Sequence, residues 1–526
     1  MALVSRSDSK KTEVVMKRSL FCTLIMLSFL LLSFSVGQAE TTGNDVLPIQ
    51  VLTVNDFHGA LMEDENNPGA AKLAGYLLSK RADNPDRTLL LSAGDMMQGT
   101  MASNLLFGSP DIAIMNYLNF DAMALGNHEF DWSITKVYER QKQADFPFLA
   151  ANIFYKGTAN VPDFCVPTAI ITRGGVKVGI IGYATIETPQ TTIPTNVSDY
   201  IFTDQADNAS VIAQRLRRQG CDIVIVLSHM GLIQTGDLLT GEAVKFANKV
   251  KGIDLIVCGH THKVAKGYVN GIPLVEAFWS GRAAGVVTLN YSVKQKRIIS
   301  SVIEVADTNT IRAAKPDTGV LCILNRDLAA INVVSNRVIG YSANGLRNEK
   351  NSSSIIESQM GQFVTDTMRT KAKVAVAFMN AGALRVPFDP GKITLGNVYS
   401  VMPFDNTLVT LSMTGAQILA VLNYGIGKPN MGAIQFSGLA VTYDSNKPYG
   451  SAVKKVSIGG KPLDLTQKYS VVTNDFCEAG GDGYTMFAQG TEQFNTGILV
   501  RDCMNEAVES TKNLEIVDDG RLTVLK

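Results

Sequence analysis

Ile49-Gln50-Val51-Leu52-Thr53-Val54-Asn55-Asp56-Phe57-His58-Gly59 is a short apolar run that breaks off into a polar motif. The run is too short for a typical helix, and its apolar residues suit a strand covered on both faces. Asp56 and His58 stand two residues apart just beyond its end. The pattern recurs along the chain. Thr88–Ser92 leads to Gly94-Asp95, and Ala122–Leu125 leads to Gly126-Asn127-His128-Glu129. Val178–Tyr183 is a further apolar run, Asp222–Leu227 leads to Ser228-His229, and Ile253–Cys258 leads to Gly259-His260-Thr261-His262. Helix-compatible stretches lie between several of these runs, at Lys72–Arg81, Asn208–Gln219 and Gly241–Lys249. Short buried strands alternating with helices predict an α/β domain.

The texture changes near Asp307. Polar segments lead into Val320–Val334, where Val320, Leu321, Leu324, Leu328 and Ile331 fall at helical spacing. This predicts a linker with one helix over 307–340, after a first domain at 46–306. A second unit at 341–526 opens with a helix near Ser354–Lys371 and continues with mixed strands and helices. A chain of 526 residues accommodates two such domains. Lys plus Arg and Asp plus Glu balance at 48 each. That leaves no basic excess of the kind a phosphate-neutralising nucleic-acid binder carries, so polymeric nucleic acid is not an expected partner.

Residues 1–39 read as an N-terminal extension and export signal. Lys17 and Arg18 precede an apolar run from Leu20 to Val36, followed by Gly37-Gln38-Ala39-Glu40. This is a positive region, an apolar region and a small-residue cleavage site after Ala39. Met16 is an alternative initiator. The expected destination is the periplasm or the medium, or a membrane anchorage if the signal is retained. No other run is long and apolar enough to insert stably once the signal is removed. Six of the seven cysteines lie beyond the signal and form no C-x-x-C pair, so a thiolate zinc site is not expected. Their pairing is open, with Cys221 and Cys258 expected as buried thiols. No feature specifies an oligomeric state.

The five histidines are His58, His128, His229, His260 and His262, and each lies in a polar motif after an apolar run. Residues at the carboxyl ends of neighbouring strands converge on one crevice of an α/β sheet. Imidazole and carboxylate donors suit two divalent ions such as Zn or Mn. Two ions about 3.5–4 Å apart can clamp both oxygens of an in-line displacement. Asp95, between the outer motifs in chain order, is the natural bridge.

These motifs, D-x-H, G-D, G-N-H-[DE], a later His and G-H-x-H, resemble the calcineurin-like metallophosphoesterase pattern. The resemblance implies a four-layer αββα sandwich with Asp56, His58, Asp95 and His262 on one ion. It places Asp95, Asn127, His229 and His260 on the other, with His128 meeting the phosphoryl group and Asp131 orienting it. The second unit resembles the smaller α+β substrate-binding domain of periplasmic 5′-nucleotidases. The matching segments are Asn380-Ala381-Gly382-Ala383-Leu384-Arg385, Met402-Pro403-Phe404-Asp405-Asn406 and Asn474-Asp475-Phe476 with Gly480-Gly481-Asp482-Gly483-Tyr484. That resemblance implies Phe404 and Phe476 stacking on a base, Asp482 on the ribose, Asn380 on the base edge and Arg385 on the phosphate. The family's additional arginine, which precedes the helix opening this domain, has no counterpart there. Arg347, further upstream, is the candidate replacement. The implied reaction is hydrolysis of nucleoside 5′-monophosphates, or of other nucleotides or nucleotide sugars, by a hydroxide held between two metals. Alternatives are a 2′,3′-cyclic nucleotide phosphodiesterase with 3′-nucleotidase activity, hydrolysis of a sulfur compound, and a non-catalytic exported nucleotide-binding protein.

Overall fold

A computed structural model describes residues 45–525 other than 205, 349–356, 429–431 and 518. The export signal therefore lies outside the described residues. Two six-stranded sheets dominate the first half. One has the order 297–306, 284–292, 46–54, 88–92, 122–124, 148–149. Its last four strands run parallel, and the strands at 284–292 and 297–306 close it with antiparallel pairings. The other has the order 264–269, 272–277, 255–257, 223–228, 176–183, 168–173, parallel in its centre and antiparallel at both edges.

Side-chain alternation explains why the strands read as continuous apolar runs. Ile49 and Val51 point into the layer between the sheets with Leu89, Leu91, Ile223, Ile225 and Val257. Leu52, Val54 and Leu90 point the other way, against the helices at 69–82 and 109–117. Val224 and Val226 pack under the helices at 206–218 and 242–247. A strand covered on both faces carries no polar face. The layers are therefore helix, sheet, sheet, helix, as the family resemblance implied.

The linker differs in one respect. It carries two helices rather than one, Thr308–Arg312 and Thr318–Ser335, capped by Asp307 and Asp317. Both caps accept the backbone N–H three residues on, an N-cap bond worth about 1 kcal/mol. Val320, Leu324 and Leu328 sink into the outer helical layer of the first domain. The long helix is thus part of that domain's packing.

The second unit has a five-stranded sheet in the order 435–437, 376–379, 468–474, 407–414, 491–499 and a four-stranded sheet closed by 522–525. Its first strand, Val338–Ser342, begins three residues before the expected start of the second unit at 341. Its first helix is Gln359–Ala372, with Ser358 as N-cap, later than the expected start near Ser354, which is outside the described residues. The fold is α+β. Cys165, Cys221, Cys258, Cys322, Cys477 and Cys503 are all free thiols. Among the described residues no helix is long and apolar enough to cross a membrane.

Candidate active site

The strands at 46–54, 88–92, 122–124, 223–228 and 255–257 end beside one another, and their polar motifs meet there. The turns are tight. Asp56, His58, Asp95, His260 and His262 hold φ between 50° and 81°, a region L-residues seldom occupy. Strain of this kind collects at functional sites. Gly126 is required by close approach, since a Cβ there would lie 2.1 Å from Asp95 Oδ1.

Two groups of donors result. Asp56, His58 and His262 converge in one, and Asp95, His229 and His260 in the other. His262 Nε2 is 3.0 Å from His58 Nε2 and 3.3 Å from Asp56 Oδ1. His229 Nε2 is 3.0 Å from Asp95 Oδ2 and 3.8 Å from Asp56 Oδ1, so the groups adjoin. Asn127 Oδ1 lies 3.0 Å from His260 Nδ1 and joins the second group. Asp95 Oδ1 accepts the His128 backbone N–H at 2.8 Å.

The outer nitrogens settle which ring nitrogen faces inward. His58 Nδ1–H donates to the Gln98 carbonyl and His229 Nδ1–H to the Ala93 carbonyl. His260 Nε2–H donates to the Glu187 carboxylate. Each leaves a lone pair pointing inward, the arrangement that fixes metal-binding histidines. Nε2 of the fully buried His229 faces Asp95 Oδ2 at 3.0 Å, so either a proton or a cation must lie between the two. A divalent ion would take that place, since metal binding to histidine displaces the proton. The donor set therefore fits two divalent ions.

The electrostatics agree. Burial alone would raise the Asp56 carboxyl, but His229 and His262 outweigh it and hold it at about 2. Burial lowers His262 to about 4 and His58 well below the usual imidazole range, leaving both neutral as ligands must be. Burial opposes the charge on His229, yet Asp95 and Asp56 raise it to about 10. The same negative field would draw a divalent cation.

His128 sits beside these groups, 8% exposed, with its Nδ1–H donating to Asp131 Oδ2 at 2.7 Å. The second domain supplies the roof. Arg385 Nη2 lies 3.4 Å from His58 Nε2, and the Phe404 ring stands 5.6 Å from that of His128. Asn104 Nδ2 donates to the Pro403 carbonyl across the interface at 2.6 Å. Asn380 Nδ2 donates to Asp482 Oδ2 at 2.7 Å, and Phe476 packs on Gly481 in the Asp482 turn. Arg347 is exposed, with its backbone tied to Gln359 and Met360 at the start of the helix at 359–372.

Three supporting residues carried no sequence expectation of a role. Glu129 accepts from the backbone N–H groups of Asp95, Met96 and Gly126, which holds the two loops together. Trp279 stacks on His262 at 5.1 Å with the planes 2° apart. It is one of two tryptophans and follows the strand at 272–277, so the strand-end rule that located the histidines could have found it. Glu187 holds His260 from a distant segment that gives no such signal.

Paired imidazole–carboxylate clusters at the strand ends of an αββα sandwich, roofed by a second domain, define a metal-dependent phosphoester hydrolase. Residues 49–264 match the calcineurin-like phosphoesterase family model, and 338–489 match that of the 5′-nucleotidase C-terminal domain. The chain thus carries a calcineurin-like phosphoesterase domain followed by a 5′-nucleotidase C-terminal domain. It is 30% identical to a cell wall protein of Listeria monocytogenes over 86% of this chain and 66% of the relative, about two thirds of its length. It is 28% identical to a 5′-nucleotidase of Vibrio cholerae over 89% of this chain and 91% of that one. The crystal structure of a 5′-nucleotidase precursor from Thermus thermophilus superposes with a TM-score of 0.82, at 28% identity, over 91% of this chain and 99% of that one.

Proposed function

We propose that the protein hydrolyses nucleoside 5′-monophosphates to nucleoside and phosphate, with its first domain at 46–306, linker at 307–340 and substrate domain at 341–526. Asp56, His58, Asp95 and His262 would hold one divalent ion, and Asp95, Asn127, His229 and His260 the other, with Asp95 bridging. Such ions supply Lewis-acid charge and lower the pKa of a water nucleophile.

The chain's own residues do the rest. Phe404 and Phe476 stack on the base, Asn380 meets its edge, and Asp482 accepts from the ribose hydroxyls. The Arg385 guanidinium fork binds the phosphate and offsets charge that grows there. His128, held by Asp131 at Nδ1, presents Nε2 to the departing 5′-oxygen and gives it a proton. Burial pushes the His128 imidazole down, but Asp131 and Asp95 more than offset it and leave it raised. The imidazole thereby holds its proton more firmly than a free one does.

One observation carries the reading: Arg385 and Phe404, from the second domain, stand against His58 and His128. A phosphate at the metal groups would have its nucleoside beneath the aromatic side chains of that domain. The kinship with 5′-nucleotidases supports the substrate class. Export, to the periplasm or beyond, rests on the signal-like segment ending at Ala39. The test is phosphate release from a panel of nucleotides with Mn or Zn. Release from nucleoside 5′-monophosphates is expected, and none from any nucleotide would refute the proposal.

A further inference from the structure

We propose that Thr192 is a positioning residue, whose hydroxyl holds the His128–Asp131 pair in line with the leaving oxygen. The inference rests on the reading of His128 as the acid.

Asp131 uses one carboxylate oxygen, Oδ2, to hold His128 Nδ1–H at 2.7 Å. Its other oxygen, Oδ1, accepts from Thr192 Oγ1 at 2.8 Å. Thr192 is 1% exposed and Asp131 9%, so water competes poorly for either group. A carboxylate bonded through one oxygen can swing about its own axis. Bonds at both oxygens fix its plane, and with it the direction of the imidazole. The Asp131 backbone is held as well, since Asn196 Nδ2 donates to the carbonyls of Phe130 and Asp131 at 2.9 and 3.0 Å.

Thr192 is itself firmly placed. The segment leading to it begins at Thr185 and Ile186, whose Oγ1 and N–H both donate to the Glu242 carboxylate. A short helix, Thr188–Thr191, follows, and Thr192 N–H donates to the Thr188 carbonyl at 3.1 Å. On the way the segment also holds two residues of the second donor group. Glu187 accepts from His260 at 3.1 Å, and the Thr191 carbonyl accepts from Asn127 Nδ2 at 3.0 Å. Its outer side packs on Gly481–Gly483, the turn that carries Asp482. One stretch of chain thus fixes the acid relative to His260, Asn127 and the Asp482 turn. The Thr192 hydroxyl is its last link.

Valine matches threonine in shape but donates no hydrogen bond, so Thr192→Val frees Asp131 Oδ1 without opening a cavity. Misdirecting His128 as an acid matters most where the leaving group needs a proton. A nucleoside 5′-alkoxide is a strong base and needs one, whereas 4-nitrophenolate leaves unaided.

The experiment compares Thr192→Val, Thr192→Ser and His128→Ala, each loaded with Mn, on adenosine 5′-monophosphate and on 4-nitrophenyl phosphate. General-acid assistance contributes about 10²–10⁴-fold, and misalignment forfeits part of that. Thr192→Val is expected to lower kcat on the nucleotide about 10-fold. Its kcat on 4-nitrophenyl phosphate should stay within about 2-fold, and Thr192→Ser should restore the nucleotide rate. Metal retention, read by chelator competition, should match the parent protein. Equal losses on both substrates, an unchanged nucleotide rate, or shed metal in Thr192→Val would each overturn the positioning role. His128→Ala separates the two ideas. If it too slows both substrates equally, the acid assignment itself fails. If it is selective while Thr192→Val is not, only the role of Thr192 fails.

Discussion

Phe476→Ala isolates the contribution of base stacking. The two aromatic side chains assigned to the base are not equivalent. Phe404 stands 5.6 Å from the His128 ring and 5.8 Å below the Arg385 guanidinium, so removing it also disturbs acid and phosphate groups. Phe476 is half-buried and packs on Gly481, where a Cβ would come within 2.5 Å of its ring. Its loss leaves the metal groups untouched. Aromatic–base stacking is worth about 1–3 kcal/mol, which corresponds to about 5–150-fold in kcat/KM. The comparison substrate is ribose 5-phosphate, which keeps sugar and phosphate and lacks the base. Phe476→Ala should lower kcat/KM for adenosine 5′-monophosphate within that range and leave ribose 5-phosphate within about 2-fold. Equal falls on the two substrates would show that Phe476 supports the domain and does not read the base.

Other substitutions probe separate parts of the site. Arg385→Ala should lower kcat/KM for nucleotides about 10²-fold. Arg385→Lys should recover only part of this in the same steady-state assay, because an ammonium lacks the paired donors of the fork. Trp279→Ala frees the His262 ring and should weaken metal retention about 10-fold in a chelator competition. Equal retention would limit Trp279 to packing. Asp111 is buried far from water, and burial raises its carboxyl well above the usual range despite a hydrogen bond from Ser103. The folded state therefore holds its proton more tightly than the unfolded state, so stability is lost as pH rises from about 4 through the folded pKa. Asp111→Asn should flatten the melting temperature between acid and neutral pH, and a parallel fall in both proteins would refute the assignment.

The first domain was legible because its strands are covered on both faces. Each of the six apolar runs became a strand, and Ile253–Cys258 only shortened, to Leu255–Val257. The strands at 168–173, 264–269, 272–277, 284–292 and 297–306 are not among those runs. At 168–173 and 297–306, on sheet edges, one face is open, and Ile170, Ile299 and Val302 are exposed there, whereas 272–277 is buried throughout and its Pro273 argues against a central strand. Histidines could be found from sequence because their motifs follow strand ends directly. Glu187 and Thr192 could not, because the segment that carries them lies about 60 residues from Asp131 and has neither periodicity nor a metal-ligand spacing. The short first linker helix, at 308–312, gives no sequence signal because five residues are too few to show a periodic face. The meeting of Arg385 with His58 is a property of domain docking, on which local pattern is silent.

The central claim is that two cations sit side by side at the strand ends. Anomalous diffraction from crystals grown with Mn measures this directly. The account predicts two peaks about 3.5–4 Å apart. One should lie among Asp56, His58 and His262 and the other among Asp95, His229 and His260. A single peak, or peaks away from these side chains, would contradict it.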